Sequence, residues 1–273
     1  MTTTYDKVLA ATADAAANAF HQAQASVPQD ERESETGIGG DGTPTSRLDE
    51  LVDAAVIEAA APYGVNILSE EAGWIDNGSH LTLVVDPVDG TANALAGVPL
   101  CTFSGAIVED GRPVQALTRW LATGQDWACT INASRPSWAR TTRRTKLDGA
   151  AISLLRPQHA NWAAWQQIAQ RSARIRILSC STLEAIMACT GATDAFADAG
   201  GDRHRYVDLV AAIVYAQAAG AVVADAFGRN IEFSTDLSRR WSGIVAATPE
   251  LAHELQAVIT KAANEDQRQT PAP

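Results

Sequence analysis

Residues 81–93 read Leu81-Thr-Leu-Val-Val-Asp-Pro-Val-Asp-Gly-Thr-Ala-Asn93, and the rest of the chain is interpreted around this stretch. The first five residues are apolar except for one threonine, and such a short β-branched run predicts a buried strand. We expect Pro87 to end the strand and the turn after it to bring Asp86 and Asp89 together. Gly90 would let the backbone approach a ligand closely.

The residues after this turn allow two interpretations. A short helix over 92–95 would leave N–H groups at its start without partners, and such groups bind anions. Two carboxylates beside these amides would form a site for a metal ion and a phosphate. The alternative is that Pro-x-Asp-Gly is only favourable turn chemistry. The stretch alone leaves both open.

Composition narrows the possible functions. The chain has 273 residues, 46% of them hydrophobic, which predicts a globular fold of one large domain or two coupled halves. The net charge is −11 and no basic stripe occurs, which argues against a nucleic-acid partner. An acidic protein that handles an anionic substrate needs metal ions to reverse the local field.

The cysteines and the N-terminus predict a cytoplasmic protein without a membrane partner. No two cysteines form a C-x-x-C pair, and we expect reduced thiols in the core. The N-terminus lacks a basic segment followed by an apolar one, and no apolar run is long enough to cross a membrane. The cysteines are Cys101, Cys129, Cys180 and Cys189.

The N-terminal region predicts an alanine-rich helix over 5–25, a polar loop over 26–36 and a glycine-rich turn over 37–45. The turn matches G-x-G-x-x-G, but no hydrophobic strand precedes it, so a dinucleotide site is rejected. It is either a simple turn or a loop that holds Asp41 in position for a chemical role. Ser46 predicts a helix cap, with Asp49 in a capping box.

Alternating apolar runs and amphipathic segments predict α/β layers. Ser181 and Glu184 predict another capping box. We divide the chain into halves at 1–146 and 147–263, with a frayed polar tail at 264–273. The expected strands are 65–68, 81–85, 103–109, 114–121, 126–131, 151–155, 175–178, 194–197, 221–224 and 243–247. The expected further helices are 47–61, 159–171, 182–190, 206–219 and 249–263.

Acidic residues recur where elements begin or end. Glu70 follows one predicted strand and Asp86 ends the next, so neighbouring strand ends would gather negative charges that need a cation. Asp208 lies in the first turn of an apolar helix. The helix dipole favours an acid there, but a buried carboxylate also needs a partner, and a metal ion would serve.

Other catalytic motifs are missing from the sequence. It contains neither a G-x-S-x-G elbow nor a phosphate-binding P-loop. The histidines are scattered, and we expect them at the surface. Oxygen ligands without clustered histidine or cysteine favour Mg²⁺, with Mn²⁺ possible. The histidines are His21, His80, His159, His204 and His253.

Three spaced motifs resemble the inositol monophosphatase family: Ser69-Glu-Glu-Ala-Gly73, Asp86-Pro-Val-Asp-Gly-Thr-Ala-Asn93, and Asp208 at a helix start. This family belongs to the lithium-sensitive, Mg²⁺-dependent phosphatase superfamily that includes fructose-1,6-bisphosphatases. Asp41-Gly-Thr-Pro-Thr-Ser-Arg-Leu-Asp49 is similar to its archaeal-type branch, which has both activities. The resemblance covers residues 37 to 228.

The resemblance implies a fold and a reaction. The fold would be a layered α-β-α-β-α sandwich of the sugar phosphatase type, α+β in its first half and α/β in its second, often as a homodimer. The reaction would be hydrolysis of a phosphate monoester of a small sugar or cyclitol by a metal-activated water. Two or three Mg²⁺ ions are implied, with Glu70, Asp86, Asp89, Asp208 and the Val88 carbonyl as ligands.

The resemblance also implies roles around the phosphate. Asp41 and Thr91 would orient and activate the attacking water, and the amides of Gly90 and Thr91 would hold the phosphate. Asp198 resembles a carboxylate that contacts substrate hydroxyls. From the residues themselves, Arg203 and Arg205 either contact a second phosphate or the sugar, or belong to a surface loop.

Departures from the family pattern leave the substrate open. Trp127–Ser134 replaces a glycine-rich hairpin, Ser179-Cys180 replaces Gly-Ser, and Gln217–Gly220 replaces an acidic-glycine run. Two alternatives therefore remain: a nucleotide 3′-phosphatase of the same superfamily, and a non-catalytic relative that binds a phosphate ligand.

Overall fold

A computed structural model describes residues 4–269 of the protein. The helices are α1 Thr4–Ser26, α2 Gln29–Glu33, α3 Arg47–Ala60, α4 Thr91–Leu95, α5 Trp162–Arg171, α6 Ser181–Thr190, α7 Tyr206–Ala219 and α8 Pro249–Gln269. The strands are β1 Glu35–Ile38, β2 Pro44–Ser46, β3 Asn66–Ser69, β4 Gly73–Ile75, β5 Leu81–Asp89, β6 Thr102–Glu109, β7 Arg112–Trp120, β8 Gln125–Thr130, β9 Ala151–Leu154, β10 Arg174–Arg176, β11 Ala195–Ala197, β12 Val222–Asp225 and β13 Gly243–Ala246.

The first large sheet has the strand order β4-β3-β5-β6-β7-β8, and only β3 and β5 run parallel. Every residue of β5 is buried, because both faces of the sheet are covered. Leu83 and Val85 pack with α1 and α3, whereas Val84 between them packs with α7. This explains why β5 is a continuous apolar run instead of an alternating one.

The second sheet has the order β10-β9-β11-β13-β12, with β13 antiparallel to its neighbours. One face packs on α5 and α8, and the other places Phe196 and Val245 against α6 and α7. The layers therefore follow in this order: helices α1 and α3, the first large sheet, helices α6 and α7, the second sheet, and helices α5 and α8. The predicted α-β-α-β-α sandwich is confirmed.

The segment 131–150 joins the two sheets without a helix or strand. α7 packs against strands of both sheets, so the two halves share an apolar layer. The division into units 1–146 and 147–263 stays a prediction. Within the described part of the chain, every helix is too short or too polar to cross a bilayer.

The sequence predicted that Pro87 ends its strand, and this prediction is wrong. β5 continues to Asp89 through an irregularity: Asp86 pairs with Ser104 and Asp89 with Thr102, so a three-residue step faces a two-residue step. Such a bulge leaves one residue out of the hydrogen-bond ladder. A proline without an N–H is tolerated at a bulge.

Two predicted irregular segments are ordered. The loop expected over 26–36 contains α2 and the start of β1, which pairs with β2 and carries the chain back to the start of α3. The tail expected to fray from residue 264 is helical to Gln269, as part of α8. The last residues of that predicted tail, 270–273, lie outside the described residues.

Two side-chain predictions in the second half are wrong. Glu184 does not form a capping box with Ser181. Instead its Oε1 accepts hydrogen bonds from Ser153 Oγ at 2.9 Å and from the Leu178 amide at 3.0 Å. His204 is not at the surface but 1% exposed, because its backbone pairs with Trp241 beside the second sheet.

Candidate active site

The parallel pairing of β3 with β5 brings two acidic strand ends together. Ser69 pairs with Val85, so Glu70 and Asp86 follow at neighbouring positions of the same sheet edge. The first turn of α7 adds Asp208 from the second half. One carboxylate oxygen from each of these three residues lies within 4.8 Å of the others. Three of the four predicted metal-binding carboxylates thus converge.

Burial and mutual repulsion make this cluster unfavourable without positive charge. Burial, more than any other cause, raises the pKa of Glu70 to about 7. Burial, followed by repulsion from Glu70, raises the pKa of Asp86 well above its ordinary value. Burial would also raise the pKa of Asp208, but the Arg205 guanidinium outweighs it and holds this pKa below its ordinary value.

The cluster fits a hard divalent cation. All its donors are carboxylate oxygens, the ligands that Mg²⁺ and Mn²⁺ prefer. The three donor oxygens all lie within 4.8 Å of one another, so a single ion, whose opposite octahedral ligands stand about 4.2 Å apart, could be shared by them. A metal would also compensate the repulsion among the acids.

Asp89, the fourth predicted ligand, lies beside this cluster. Its Oδ2 accepts hydrogen bonds from the Thr182 amide at 2.6 Å and the Thr182 hydroxyl at 2.7 Å, both at the start of α6. Asp89 and Asp208 line the same cavity, and burial followed by repulsion from Asp208 raises the Asp89 pKa. The Val88 carbonyl, a predicted fifth ligand, accepts a hydrogen bond from Thr91 at 3.0 Å.

Arg205 lies among the carboxylates. Its guanidinium donates to Asp41 and Glu70, and its Nε is 3.1 Å from Asp208 Oδ2. The side chain is only 14% exposed. Burial disfavours its charge, but the carboxylates around it keep its pKa above the ordinary value. The sequence left open whether Arg205 contacts the substrate or belongs to a surface loop, and it missed these ion pairs.

The backbone conformation and close packing at position 90 require a glycine. Its φ is +90°, and a Cβ at this position would lie 2.7 Å from the Leu100 carbonyl oxygen. The close approach that the sequence attributed to a ligand is therefore made to the backbone.

Helix α4 begins at the next residue, Thr91. Within it, Asn93 donates hydrogen bonds to Leu100 O at 2.8 Å and to Leu178 O at 2.7 Å. These bonds tie α4 to the second half.

Asp41 and Thr91 have different partners. Asp41 Oδ1 accepts from the Thr43 amide at 2.8 Å and the Thr43 hydroxyl at 2.7 Å, while Oδ2 accepts from Arg205. Thr91 donates instead to Asp49 Oδ1 and to Val88 O, each at 3.0 Å. Within residues 4–269 no hydrogen bond joins Asp41 to Thr91. The sequence identified Asp49 only as part of a helix cap.

A cavity of about 200 Å³ opens beside the carboxylates. The loop after β9 and the segment before α6 line it with residues to which the sequence assigned no contact with substrate. Both segments lie at the carboxyl edge of parallel strands, where ligands bind. A larger cavity of about 410 Å³ lies between α7 and β12 and contains none of the predicted site residues. The smaller cavity is lined by Asp89, Leu155, Arg156, Gln158, Ser179, Ser181, Arg203, His204, Arg205 and Asp208.

Asp198 does not line this cavity. It is fully buried, and its oxygens accept hydrogen bonds from the Gly201 amide at 2.7 Å and the Arg203 amide at 2.9 Å. The carboxylate therefore shapes the loop that presents Arg203 to the cavity.

Comparison with known proteins agrees with this geometry. A model of the inositol monophosphatase family matches residues 4–267. The chain belongs to the inositol monophosphatase family. This family consists of metal-dependent phosphatases, which are phosphoric monoester hydrolases. The carboxylate cluster is an acidic group that could bind such a metal.

Three relatives illustrate the similarity. The fructose-1,6-bisphosphatase of Pyrococcus furiosus is 27% identical over 231 residues, which cover 81% of this chain and 86% of that protein. The fructose-1,6-bisphosphatase/inositol-1-monophosphatase of Archaeoglobus fulgidus is 28% identical over 252 residues, 89% and 94% of the two chains. A solved inositol monophosphatase–fructose 1,6-bisphosphatase, 22% identical, superimposes with a TM-score of 0.79 over 94% of this chain and 98% of its own, which supports the fold.

Proposed function

We propose that this protein hydrolyses phosphate monoesters of small sugars or cyclitols, such as inositol monophosphate or fructose 1,6-bisphosphate, by a metal-activated water. The observation that carries the proposal is the convergence of Glu70, Asp86 and Asp208 within 4.8 Å, next to a cavity lined by arginines. Relatives named for these two substrates, on 81% to 89% of the chain, support the substrate class.

The ligands would be the four carboxylates and the Val88 carbonyl, holding two or three Mg²⁺ ions. When bound, such ions lower the pKa of a coordinated water and neutralise the charge of the phosphate. Mn²⁺ offers the same coordination chemistry. The hydrogen bonds from Thr182 leave Asp89 one oxygen, Oδ1, for this purpose.

The chain's own residues would position the substrate. The first amides of α4, at Thr91 and Ala92, have no intrahelical partner and would hold phosphate oxygens together with Gly90. Asp41 and the Thr91 hydroxyl would orient and activate the attacking water. Arg203 and Arg205 line the cavity and would contact the sugar or a second phosphate.

Phosphate release tests the proposal directly. The purified protein, stripped with EDTA, is assayed on inositol monophosphate, fructose 1,6-bisphosphate and a 3′,5′-bisphosphorylated nucleotide, with and without added Mg²⁺. We expect Mg²⁺-dependent release from the first two. Release from the nucleotide alone would favour the 3′-phosphatase alternative, and no release from any would favour a non-catalytic binder.

A pair of variants locates the reaction. Asp208→Asn should lose at least about a hundredfold in kcat, because removing one acidic ligand weakens both metal binding and the positioning of the phosphate. Asp225→Asn removes an equally buried acid that binds Arg229 away from the cavity, and it should keep Mg²⁺-dependent turnover. If Asp208→Asn retained full activity, the assignment of the site would be wrong.

We also propose that the enzyme works as a cytoplasmic homodimer, as the family resemblance implies. The buried free thiols are compatible with a reducing compartment. Light scattering on the purified protein should give twice the chain mass of 28.8 kDa. A particle of the chain mass at micromolar concentration would contradict the dimer.

A further inference from the structure

The turn over residues 39–43, which carries Asp41, is fixed on one side by the first half of the chain. The Gly40 amide donates a hydrogen bond to Glu71 O at 2.7 Å. A Cβ on Gly40 would lie 2.5 Å from backbone atoms of Gly73, so the turn packs directly on the start of β4. We call residues 39–43 the Asp41 turn.

Arg240 contacts the Asp41 turn from the second half of the chain. It lies in the segment 226–242 between β12 and β13. Its Nη2 donates to the main-chain carbonyl of Asp41 at 3.4 Å and lies 3.8 Å from Asp41 Oδ2. Its Nη1 donates to Leu237 O and, at 3.3 Å, to Arg239 O. The guanidinium therefore bridges its own segment and a turn that is 199 residues away in sequence.

The next residue, Trp241, anchors Arg240 to the second half. Trp241 is 3% exposed, and its backbone exchanges two hydrogen bonds with His204, at 2.8 and 3.0 Å. Its indole nitrogen donates to Asn230 O at 2.9 Å. Because Trp241 is fixed in this way, the second half determines the point at which Arg240 holds the turn.

A ring contact of the same segment reaches the first half beside the turn. The Phe233 ring lies edge-to-face against Trp74 of β4, with 6.5 Å between ring centroids, and against Tyr206 at the start of α7, with 5.8 Å. Trp74 directly follows Gly73, on which the turn packs. The segment 226–242 therefore contacts both the Asp41 turn and the strand that supports it.

Arg240 and Arg205 bind different atoms of Asp41. Arg205 donates to the Asp41 carboxylate and also to Glu70 and Asp208, so it compensates the charge of the acids. The hydrogen bond from Arg240 goes to the main-chain carbonyl, and this bond forms whether or not the Asp41 carboxyl is ionised. Within residues 4–269, no hydrogen bond or ion pair joins Arg240 to Glu70 or Asp208. Its contact therefore fixes the backbone of the turn.

We propose that Arg240 is a positioning residue that holds the Asp41 turn in place beside the carboxylate cluster, so that Asp41 can orient the attacking water. Arg240 touches neither substrate nor water and acts through Asp41. The inference rests on the proposed phosphatase function and deepens it. It makes the placement of an acid from the first half depend on a contact with the second half.

Turnover of Arg240 variants tests this role. Arg240→Met should lower kcat about ten- to a hundredfold, with KM changed less than about threefold, because a small displacement of a group that assists the reaction costs up to about a hundredfold. Arg240→Lys keeps the charge but has one ammonium group in place of the forked guanidinium, so it should recover part of the loss. In a double variant with Asp41→Asn, Arg240→Met should add less than about a threefold loss. Losses of kcat that multiply in the double variant would overturn the proposal.

Arg239→Met is the matched control. Arg239 precedes Arg240, pairs with Glu232 at 3.1 Å and lies 5.2 Å from the centroid of the Trp241 ring. In the part of the chain that the structure describes, no hydrogen bond or ion pair joins Arg239 to the Asp41 turn. Its replacement should leave kcat within about threefold of the unaltered protein. An equal loss of kcat in Arg239→Met and Arg240→Met would overturn the proposal.

Amide hydrogen exchange in EDTA tests the contact without any substrate. The amides of Gly39, Gly40 and Gly42 donate hydrogen bonds within the turn or to Glu71. Arg240→Met should raise their exchange rates about three- to tenfold, because the turn opens more often, and should leave those of β5 unchanged. Unchanged exchange in the turn would refute the contact.

The two measurements together separate this inference from the function it rests on. Faster exchange in the turn with unchanged kcat would refute the positioning role alone. If the unaltered protein released no phosphate from any substrate, the proposed function and the positioning role would both be refuted. The exchange rates would still decide whether Arg240 holds the Asp41 turn.

Discussion

Replacing Arg205 by methionine should destabilise the metal-free protein strongly. The guanidinium is 14% exposed and bonds to Asp41, Glu70 and Asp208, so Arg205→Met leaves Glu70 and Asp208 without this cation. Asp41 keeps a longer contact with Arg240, at 3.8 Å. Removing one partner of a buried ion pair lowers the free energy of unfolding by about 3–5 kcal/mol. We take the lower end, about 3 kcal/mol, because Glu70 with its pKa of about 7 can take up a proton. For a chain of this size that is a fall in Tm of about 6–12 °C.

The loss of stability in Arg205→Met should increase with pH. In the unaltered protein Arg205 holds the Asp208 pKa below its ordinary value, which stabilises the fold above the pKa of Asp208 in the unfolded chain. Without Arg205, burial and repulsion raise the pKa values of the cluster, and the fold loses stability as the pH rises through them. The deficit of the variant should therefore be larger at about pH 8 than at about pH 5.

Mg²⁺ should reduce this deficit, because it offers the same carboxylates another cation. The assay is thermal unfolding followed by circular dichroism, in EDTA and in excess Mg²⁺, for the unaltered protein and Arg205→Met. Arg239→Met is the control: Arg239 is 40% exposed, pairs with Glu232 at 3.1 Å, and should cost at most about 1 kcal/mol under either condition. An equal loss for Arg205→Met with and without Mg²⁺ would refute the reasoning.

Two further changes test the surroundings of the site. Gly90→Ala should lower stability by about 1–3 kcal/mol and reduce turnover, because its Cβ would meet Leu100 O at 2.7 Å with φ at +90°; unchanged urea unfolding and activity would contradict the close approach. Burial raises the Glu184 pKa to about 7, so the native protein should lose stability between about pH 4.5 and pH 7 as the acid ionises. Glu184→Gln should remove this loss and be more stable than the unaltered protein by about 1–3 kcal/mol at about pH 8. At about pH 4 this gain in stability should vanish, because Glu184 is then protonated in the unaltered protein. A gain of equal size at both pH values would show that Glu184 does not ionise in this range.

Local patterns predicted the parts of the site that depend on neighbouring residues. Ser46 caps α3 as expected, since a capping bond joins residues three positions apart. Glu70 and Asp86 meet because they come directly after Ser69 and Val85, the last paired residues of the parallel ladder between β3 and β5. Only one step of this reasoning needed tertiary information, namely that the two strands are adjacent. Consecutive strands often are.

Contacts between distant parts of the chain could not be predicted in this way. Arg205 bonds to Asp41 across 164 residues and to Glu70 across 135, and nothing local to Arg205 distinguishes it from an arginine in a surface loop. The strand through Pro87 depends on the opposing strand β6, which determines where the bulge lies. His204 was misjudged for the same reason, since its burial is due to Trp241.

The sequence by itself determined the chemistry: acidic residues at two strand ends and one helix start, with a glycine turn between them. These positions follow from short-range geometry and from the high cost of gathering buried charges without a cation. Only the tertiary structure decided which partner each side chain takes. Thr91 binds Asp49 and Arg205 binds the carboxylates, because packing of α3 and α7 against the first sheet places their N-terminal turns on either side of residues 86–91.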